Sequence, residues 1–232
     1  MIVLRKAVER GYASHGWLES WHSFSFADYL DPEHVHFGPL RVINEDIVQP
    51  GTGFGTHGHR DMEILTYVLS GTLRHRDSTG SSGDIRYGEV QLMSAGTGVQ
   101  HSEVNPAQGE TVHLLQIWIM PDRQGLDPGY RQKDFPLESK LARWCLLASP
   151  DAEQGSLLIH QDARVFAARL GASETLDYPI AAQRKIYLHV ARGGLQANGY
   201  ALSAGDALMY SDERQVKLEA ANDAEVLLFD LI

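Results

Sequence analysis

Two short pairs of metal-ligating residue types stand out in the first half of the chain, His57-Gly-His59 and His101-Ser-Glu103. Side chains at positions i and i+2 of a β-strand point to the same face, so each pair can present two ligands to one interior. Imidazole nitrogen and carboxylate oxygen both bind divalent metal ions at about 2.0–2.2 Å. A single His-x-His pair arises often by chance, whereas two ligand pairs predict a shared metal site.

Glycine surrounds both pairs, between residues 51 and 63 and between residues 88 and 105. These glycines let the backbone bend around a crowded centre. Four protein ligands would leave one or two positions open on a five- or six-coordinate ion, which chemistry at the metal requires. Ligands of this kind accept Fe(II), Zn, Mn, Ni, Co or Cu and so do not identify the ion.

The segments that must position these residues read as strands. Short runs rich in β-branched and apolar residues alternate with turns marked by the 22 glycines, and long helical periodicity is scarce. We therefore predict an all-β sandwich or barrel with few short helices. The clearest strand candidates are residues 40–43, 64–69, 112–120, 185–190 and 225–229.

A weak internal repeat relates the two halves of the chain. Residues 68–73 resemble residues 190–195, and residues 88–94 resemble residues 205–211, in the same order and at nearly equal offsets. Two such matches favour duplication, so we predict two β-domains, 1–130 and 131–232, with the boundary inside residues 121–138.

The repeat also predicts whether the second domain binds metal. Transferring the offsets puts Pro179 and Ala181 at the positions of the first ligand pair, and Leu218 and Ala220 at those of the second. None of these side chains can bind a metal ion, and the isolated histidines His160 and His189 read as structural residues. We expect the second domain to be structural.

Composition limits the partners and the location. With 30 acidic against 20 basic residues, the formal charge of -10 argues against direct binding of nucleic acid. Cys145 is the only cysteine, so an intrachain disulfide is impossible, and the N-terminal residues lack the apolar core of a signal peptide. No segment approaches the length of a membrane span. We expect a cytoplasmic protein.

The two ligand motifs resemble those of cupins as they occur in pirin and pirin-like bacterial quercetinases. Residues 51–63 fit Gly-x5-His-x-His-x3-Glu, and residues 88–105 fit the second motif with Ser94 in place of its proline and two extra residues before the histidine. The resemblance implies two cupin jelly-roll β-barrels in tandem. Strand parity does not decide between Glu63 and Glu103 as the fourth ligand; the resemblance to pirins implies His57, His59, His101 and Glu103.

The same resemblance implies an activity. A pirin-like quercetinase cleaves a flavonol such as quercetin across C2 and C3 with dioxygen and releases carbon monoxide. One divalent ion, with Fe(II) as the first choice, would be the cofactor, and Glu103 would also accept the proton of the flavonol 3-hydroxyl. Two alternatives remain: a pirin-type regulator or redox sensor that acts through protein partners, and a cupin enzyme with another small aromatic substrate.

Other residues have a structural and a functional interpretation. His34 and His36 fit a surface loop better than the mouth of a metal cavity, and Trp17, Trp21, Phe24 and Phe26 form an aromatic cluster that packs on the first domain or walls a pocket. Gln116 and Trp118 share one strand face, from which Trp118 could fill the core or contact an aromatic ligand.

Overall fold

The computed structural model describes residues 1–232, and its regular structure is almost entirely β. Up to residue 134 the strands are β1 Ile2–Arg5, β2 Gly11–Ser14, β3 Leu18–His22, β4 Leu40–Val48, β5 Gly53–His59, β6 Glu63–Ser70, β7 Thr72–Asp77, β8 Ser82–Arg86, β9 Glu89–Ser94, β10 Val99–Val104, β11 Val112–Ile119 and β12 Gly129–Asp134. The later strands are β13 Cys145–Ser149, β14 Leu157–Leu158, β15 Ala163–Leu170, β16 Thr175–Pro179, β17 Lys185–Arg192, β18 Gly194–Ala197, β19 Tyr200–Ser203, β20 Ala207–Tyr210, β21 Gln215–Ala220 and β22 Ala224–Leu231.

The helical content is three single 3₁₀ turns, Ala7–Glu9, Leu137–Ser139 and Glu153–Gly155. No helix has the length and apolarity needed to cross a membrane. Four of the five predicted strand segments lie within β4, β6, β17 and β22, and the segment 112–120 coincides with β11 except for Met120, which follows that strand. Their β-branched and aliphatic residues suit a pleated, buried surface, which explains why the sequence pattern identified them.

One compact unit comprises residues 11–134 and 159–161. Its seven-stranded sheet has the order β12-β9-β6-β11-β4-β3-β2, and its four-stranded sheet has the order β5-β10-β7-β8. Strands β5 and β8 each pair with one neighbour, so hydrogen bonding does not close the sheets into a ring. The predicted all-β jelly roll is confirmed, as two separate sheets rather than a closed barrel.

The other compact unit comprises residues 1–10, 135–158 and 162–232. Its seven-stranded sheet has the order β1-β20-β17-β22-β15-β13-β14, and its four-stranded sheet has the order β16-β21-β18-β19. Each strand from β15 to β22 occupies the place of a strand from β4 to β11, so the sequence repeat corresponds to a repeated topology. The boundary between residues 130 and 131 stays a prediction.

The strand register corrects the positions that the sequence repeat transfers. Glu103 pairs with His75 on β7, and the corresponding pair on β18 and β21 is Ala197 with Leu218. Extending this register gives Tyr178, Ile180, Val216 and Leu218 as the counterparts of the four predicted ligands. The counterparts on β16 shift by one residue because β5 carries an extra residue in a bulge, and those on β21 shift by two because the connection before β21 is two residues shorter than the one before β10.

The core of the second unit contains one row of apolar side chains, which we call the apolar row. Register connects Leu146 on β13 to Phe166 on β15, then to Leu228 on β22, Leu188 on β17 and Leu208 on β20. All five are buried within one hydrophobic cluster. The apolar row therefore shows that this fold accepts apolar side chains at these five positions when they serve only to pack the core.

We expect Leu228→Gln to lower the free energy of unfolding by about 1–3 kcal/mol, because a buried amide without a partner loses its hydrogen bonds to water. Leu228 is fully buried. Urea unfolding followed by circular dichroism measures the change, with the volume-conserving Leu228→Met as the matched control. Equal unfolding midpoints for the two variants would contradict this interpretation.

Candidate metal centre

The register of β5 and β10 brings the two predicted ligand pairs together. His57 lies opposite His101, and the pairing shifts by one residue before Glu103 meets Phe54. The shift is a β-bulge at Gly55 and Thr56, both of which are exposed. Because the bulge absorbs one residue, Phe54, His57 and His59 all turn toward the interior, which bulges beside functional sites commonly achieve.

Three imidazoles meet at this point. The ligating atoms of His57, His59 and His101 all lie within 4.8 Å of one another, and the Nε2 atoms of His57 and His101 are 3.0 Å apart. Two nitrogens bound at right angles to one ion, each at about 2.1 Å, are about 3.0 Å apart. The three side chains therefore fit one divalent ion without rearrangement of that pair.

The hydrogen bonds around the rings indicate which nitrogens are free. The Nδ1–H of His57 donates to the carbonyl oxygen of Gly55 at 2.8 Å, so Nε2, which lies 3.0 Å from Nε2 of His101, is the nitrogen available to a metal ion. Burial, followed by repulsion from His57, lowers the pKa of His59 to about 4. Burial and then the two neighbouring histidines lower the pKa of His101 to about 3. Neutral rings are the form that binds metal ions.

Glu103 lies beside this cluster and is buried. Its carboxylate receives a hydrogen bond from Gln116 Nε2 at 2.8 Å and a longer one from Thr66 Oγ1 at 3.4 Å. Burial raises its pKa to about 7, although these two hydrogen bonds lower it. Its carboxylate oxygen lies within 4.8 Å of ligating atoms of His75 and His101 but is not grouped with His57 and His59, so its role as the fourth ligand stays a prediction.

Glu63, the other candidate carboxylate, is engaged elsewhere. It accepts a hydrogen bond from the Ser94 hydroxyl at 3.0 Å, and its second oxygen lies 3.4 Å from Nδ1 of His160. Glu63 belongs to neither group of potential metal ligands, which are His57, His59 and His101 in one group and His75, His101 and Glu103 in the other. The carboxylate therefore anchors Ser94 and His160, and His160 is a structural histidine, as the sequence predicted.

A chain of polar contacts that the sequence did not identify extends from His101 into the interior. His101 Nδ1 lies 3.4 Å from Nδ1 of His75, and His75 Nε2 lies 2.8 Å from the Asp77 carboxylate. Burial raises the pKa of Asp77, but hydrogen bonds from His75, Thr79 and backbone amides outweigh this and lower it. With Asp77 charged, His75 accepts the Nδ1 proton of His101, and His101 Nε2 is left free for a metal ion.

One signal for this series of polar contacts is present in the sequence. His75-Arg-Asp77 is another i, i+2 pair of ligating residue types, on β7. Its significance depends on the pairing of β7 with β10, which puts His75 opposite Glu103 and Asp77 opposite His101. Sequence spacing alone does not reveal that neighbour relation.

We expect His75→Ala to weaken divalent metal binding by about 10–100-fold, because His101 loses the partner that fixes its protonated nitrogen. Competition against a chromogenic chelator measures the affinity. The matched control is His113→Ala, since His113 also contacts a carboxylate, Glu45 at 2.9 Å, but lies outside the ligand groups. Equal affinities for both variants would rule out a supporting role for His75.

A cavity of about 710 Å³ adjoins the centre, within the range typical of small-molecule sites. His57, His59 and Glu103 form part of its wall. Trp118 packs edge-on against His59 with ring centroids 4.9 Å apart. The full lining is Tyr12, Ala13, His15, Trp17, Leu18, Ser20, His22, Phe26, Ala27, Asp28, Tyr29, Asn44, Asp46, Phe54, His57, His59, Glu103, Gln116 and Trp118.

The structure distinguishes the interpretations left open for the aromatic residues. Trp17 and Phe26 line the cavity, whereas Phe24 is a buried core residue and Trp21 packs against Tyr12 at 5.3 Å. The loop pair does not line the cavity: His34 contacts Asp31 at 3.0 Å, and His36 contacts the Gly38 carbonyl at 3.0 Å. The surface-loop interpretation of that pair is confirmed.

Comparisons with known proteins cover both units. A protein-family model described as Pirin matches residues 4–119, and one described as Quercetinase C-terminal cupin domain matches residues 146–231. A protein of Escherichia coli strain K12 named quercetin 2,3-dioxygenase is 50% identical over 232 residues, covering 100% of this chain and 99% of that protein.

Two solved structures from Escherichia coli resemble the whole chain. The crystal structure of YhhW has a TM-score of 0.97 at 50% identity and covers 100% of this chain and 98% of that one. The crystal structure of bacterial pirin YhhW in complex with nickel(II) has a TM-score of 0.95 at 50% identity and covers 100% of this chain and 99% of that one.

Proposed function

This chain belongs to the pirin family, and from that premise we propose that it is a metal-dependent dioxygenase that cleaves a flavonol such as quercetin across C2 and C3. The flavonol and one dioxygen molecule give a depside and carbon monoxide, which balances the atoms of the reaction. The observation that carries the proposal is the juxtaposition of three imidazoles and a buried carboxyl group at an aromatic cavity of about 710 Å³.

His57, His59, His101 and Glu103 are the proposed metal ligands. We propose Fe(II) as the ion because the reaction consumes dioxygen, while Zn, Mn, Ni, Co and Cu suit the same donor set. The nickel(II) complex of the Escherichia coli pirin supports a divalent first-row ion in such a protein. When bound, the ion supplies Lewis acidity toward the flavonol oxygens and redox activity toward dioxygen.

Glu103 is the proposed proton acceptor. A carboxyl group with a pKa of about 7 is suited to take the proton of the flavonol 3-hydroxyl near neutral pH. Gln116 and Thr66 hold its two oxygens by hydrogen bonds and so fix its orientation. The carboxyl group of Glu103 is expected to hold the flavonol in its ionised form at the four proposed ligands, which we call the ligand cluster.

The aromatic walls position the substrate and exclude water. Phe54 packs edge-on against Trp17 at 5.1 Å, and Phe26 packs edge-on against Trp118 at 5.4 Å. Edge-on pairs of this kind are rigid, apolar surfaces against which a planar ring system can stack. A planar, polycyclic substrate suits such a site better than a sugar or a peptide.

The test uses purified protein with determined metal content, incubated with quercetin in air. We expect loss of the flavonol absorbance and release of carbon monoxide in proportion to bound metal. Protein stripped by a chelator should be inactive and should recover when Fe(II) is restored. Metal-loaded protein that leaves quercetin intact would overturn the proposal and favour a regulator acting through a protein partner or an unrelated aromatic substrate.

A further inference from the structure

The inner face of the large sheet of residues 11–134 carries a continuous row of polar side chains, which we call the polar row. Register connects His22 on β3 to Asn44 on β4, then to Gln116 on β11, Thr66 on β6 and Gln91 on β9. All five residues are buried, at no more than 8% exposure. Polar residues on five successive strands inside a jelly roll need an explanation, because burying them is unfavourable without partners.

The duplicated unit supplies the comparison. The positions of the polar row correspond, strand by strand, to the apolar row Leu146, Phe166, Leu228, Leu188 and Leu208. Packing therefore does not demand polar residues at these places. The polar row is a property of the unit that contains the ligand cluster, and its members are expected to serve the site.

One half of the polar row does serve the ligand cluster. Gln116 and Thr66 both hydrogen-bond to Glu103, and Gln91 Nε2 lies 3.4 Å from His75 Nδ1. The amide of Gln116 thus orients the Glu103 carboxylate, and Gln91 adjoins His75, which contacts His101. This half accounts for three of the five polar positions.

The other half has different partners. His22 Nδ1 lies 3.0 Å from Asn44 Oδ1 and 3.4 Å from Ser20 Oγ, and the Ser20 hydroxyl donates to the carboxylate of Asp46. Ser20 and Asp46 face each other across β3 and β4. All four side chains are buried yet line the cavity. We call this group, Ser20, His22, Asn44 and Asp46, the polar subsite.

Asp46 is the most demanding member of the polar subsite. Its side chain is fully buried, and desolvation raises its pKa to about 7 despite the hydrogen bond from Ser20. The counterpart of Asp46 in the apolar unit is Ala168, two residues beyond Phe166 on β15. A carboxyl group held at the cavity wall by one hydroxyl donor retains capacity to accept another hydrogen bond.

We propose that the polar subsite binds hydroxyl groups of the aromatic ligand, with Asp46 as their acceptor, and so selects polyhydroxylated over unsubstituted aromatic substrates. This inference rests on the proposed function, since it names a second point of attachment in the same cavity. The rings of Phe26 and Tyr29, whose centroids lie 5.3 and 6.2 Å from that of His22, form the apolar wall beside it. A ligand anchored at both the ligand cluster and the polar subsite is held in one orientation.

The test compares quercetin with 3-hydroxyflavone, which keeps the 3-hydroxyl but lacks the hydroxyl groups on the other rings. Binding is measured without oxygen through quenching of tryptophan fluorescence, because Trp17 and Trp118 line the cavity. Metal-loaded and metal-free protein are both titrated. We expect wild-type protein to bind quercetin about 10–100-fold more tightly than 3-hydroxyflavone, the ratio that one or two well-placed hydrogen bonds provide.

Asp46→Ala and, as a second variant, Ser20→Ala should reduce that ratio toward one by weakening quercetin binding, with the affinity for 3-hydroxyflavone nearly unchanged. The matched control is Glu45→Gln, the neighbouring acid on β4, which contacts His113 and does not line the cavity. Circular dichroism verifies that each variant is folded.

Wild-type protein that binds both flavonols equally, or neither, would overturn the proposal, as would folded variants that keep the wild-type ratio. The outcome is separable from that of the proposed function. Selective binding of quercetin without cleavage would refute the dioxygenase and leave the polar subsite, whereas cleavage of both flavonols with equal affinity would refute the polar subsite alone.

Discussion

Replacement of His57 by alanine is expected to abolish stoichiometric binding of a divalent ion and, with it, flavonol cleavage. The Nε2 atom of His57 lies 3.0 Å from that of His101, at the point where the three imidazoles converge. Loss of a residue that only supports a ligand typically weakens metal binding about 10–100-fold, and removal of a ligand itself should weaken it further. Metal content after dialysis and a calorimetric titration with Fe(II) or Ni(II) measure the loss.

His57 suits this test because it is only half-buried, so its removal leaves a smaller cavity than removal of the buried His101. The matched control is His36→Ala, since His36 is exposed and contacts only its own loop at the Gly38 carbonyl. We expect this control to bind one ion with unchanged affinity. If His57→Ala retained full metal content and activity, the proposed centre would be wrong.

The second large effect concerns Glu103. Glu103→Gln is expected to keep the bound metal and the fold but to lower flavonol turnover by about 10²–10⁴-fold, the contribution usual for a general base. The substituted amide occupies the same volume, and its oxygen can still accept the hydrogen bond from Gln116. It cannot accept the proton of the 3-hydroxyl. Steady-state rates with quercetin, together with metal analysis of the same samples, test this expectation.

Glu63→Gln is the matched control for Glu103→Gln, because Glu63 is also a buried carboxylate of the cupin motif but contacts Ser94 and His160. We expect this variant to retain turnover at a wild-type metal content. Unchanged turnover in Glu103→Gln would remove the base role. Loss of metal and turnover in Glu63→Gln alone would instead identify Glu63 as the fourth ligand.

The duplication separates what the architecture needs from what the site needs. Two units share the same strand orders, yet one has five apolar residues in the row where the other has five polar residues. The apolar row is consistent with stability as the only requirement on that unit's interior. In the other unit, buried polar side chains hold Glu103 and line the cavity, and such residues usually lower stability.

The sequence by itself determined the class of fold, the duplication and the family. Alternation of apolar residues and glycine turns predicted the strands, since that pattern is local, and the spacing of His57, His59, His101 and Glu103 predicted a common ligand cluster. Both follow from the two-residue period of a β-strand, which can be read from neighbouring positions alone.

The tertiary structure decided which residues support those candidate ligands. His75 and Asp77 on β7 become neighbours of β10 only through strand pairing, and pairing likewise joins Asn44 on β4 to Gln116 on β11 within the polar row. A strand's register depends on turns, bulges and burial of a whole face, and a shift of one residue reverses every side chain. The bulge at Gly55 is such a case, since it decides that Phe54, His57 and His59 face the same cavity.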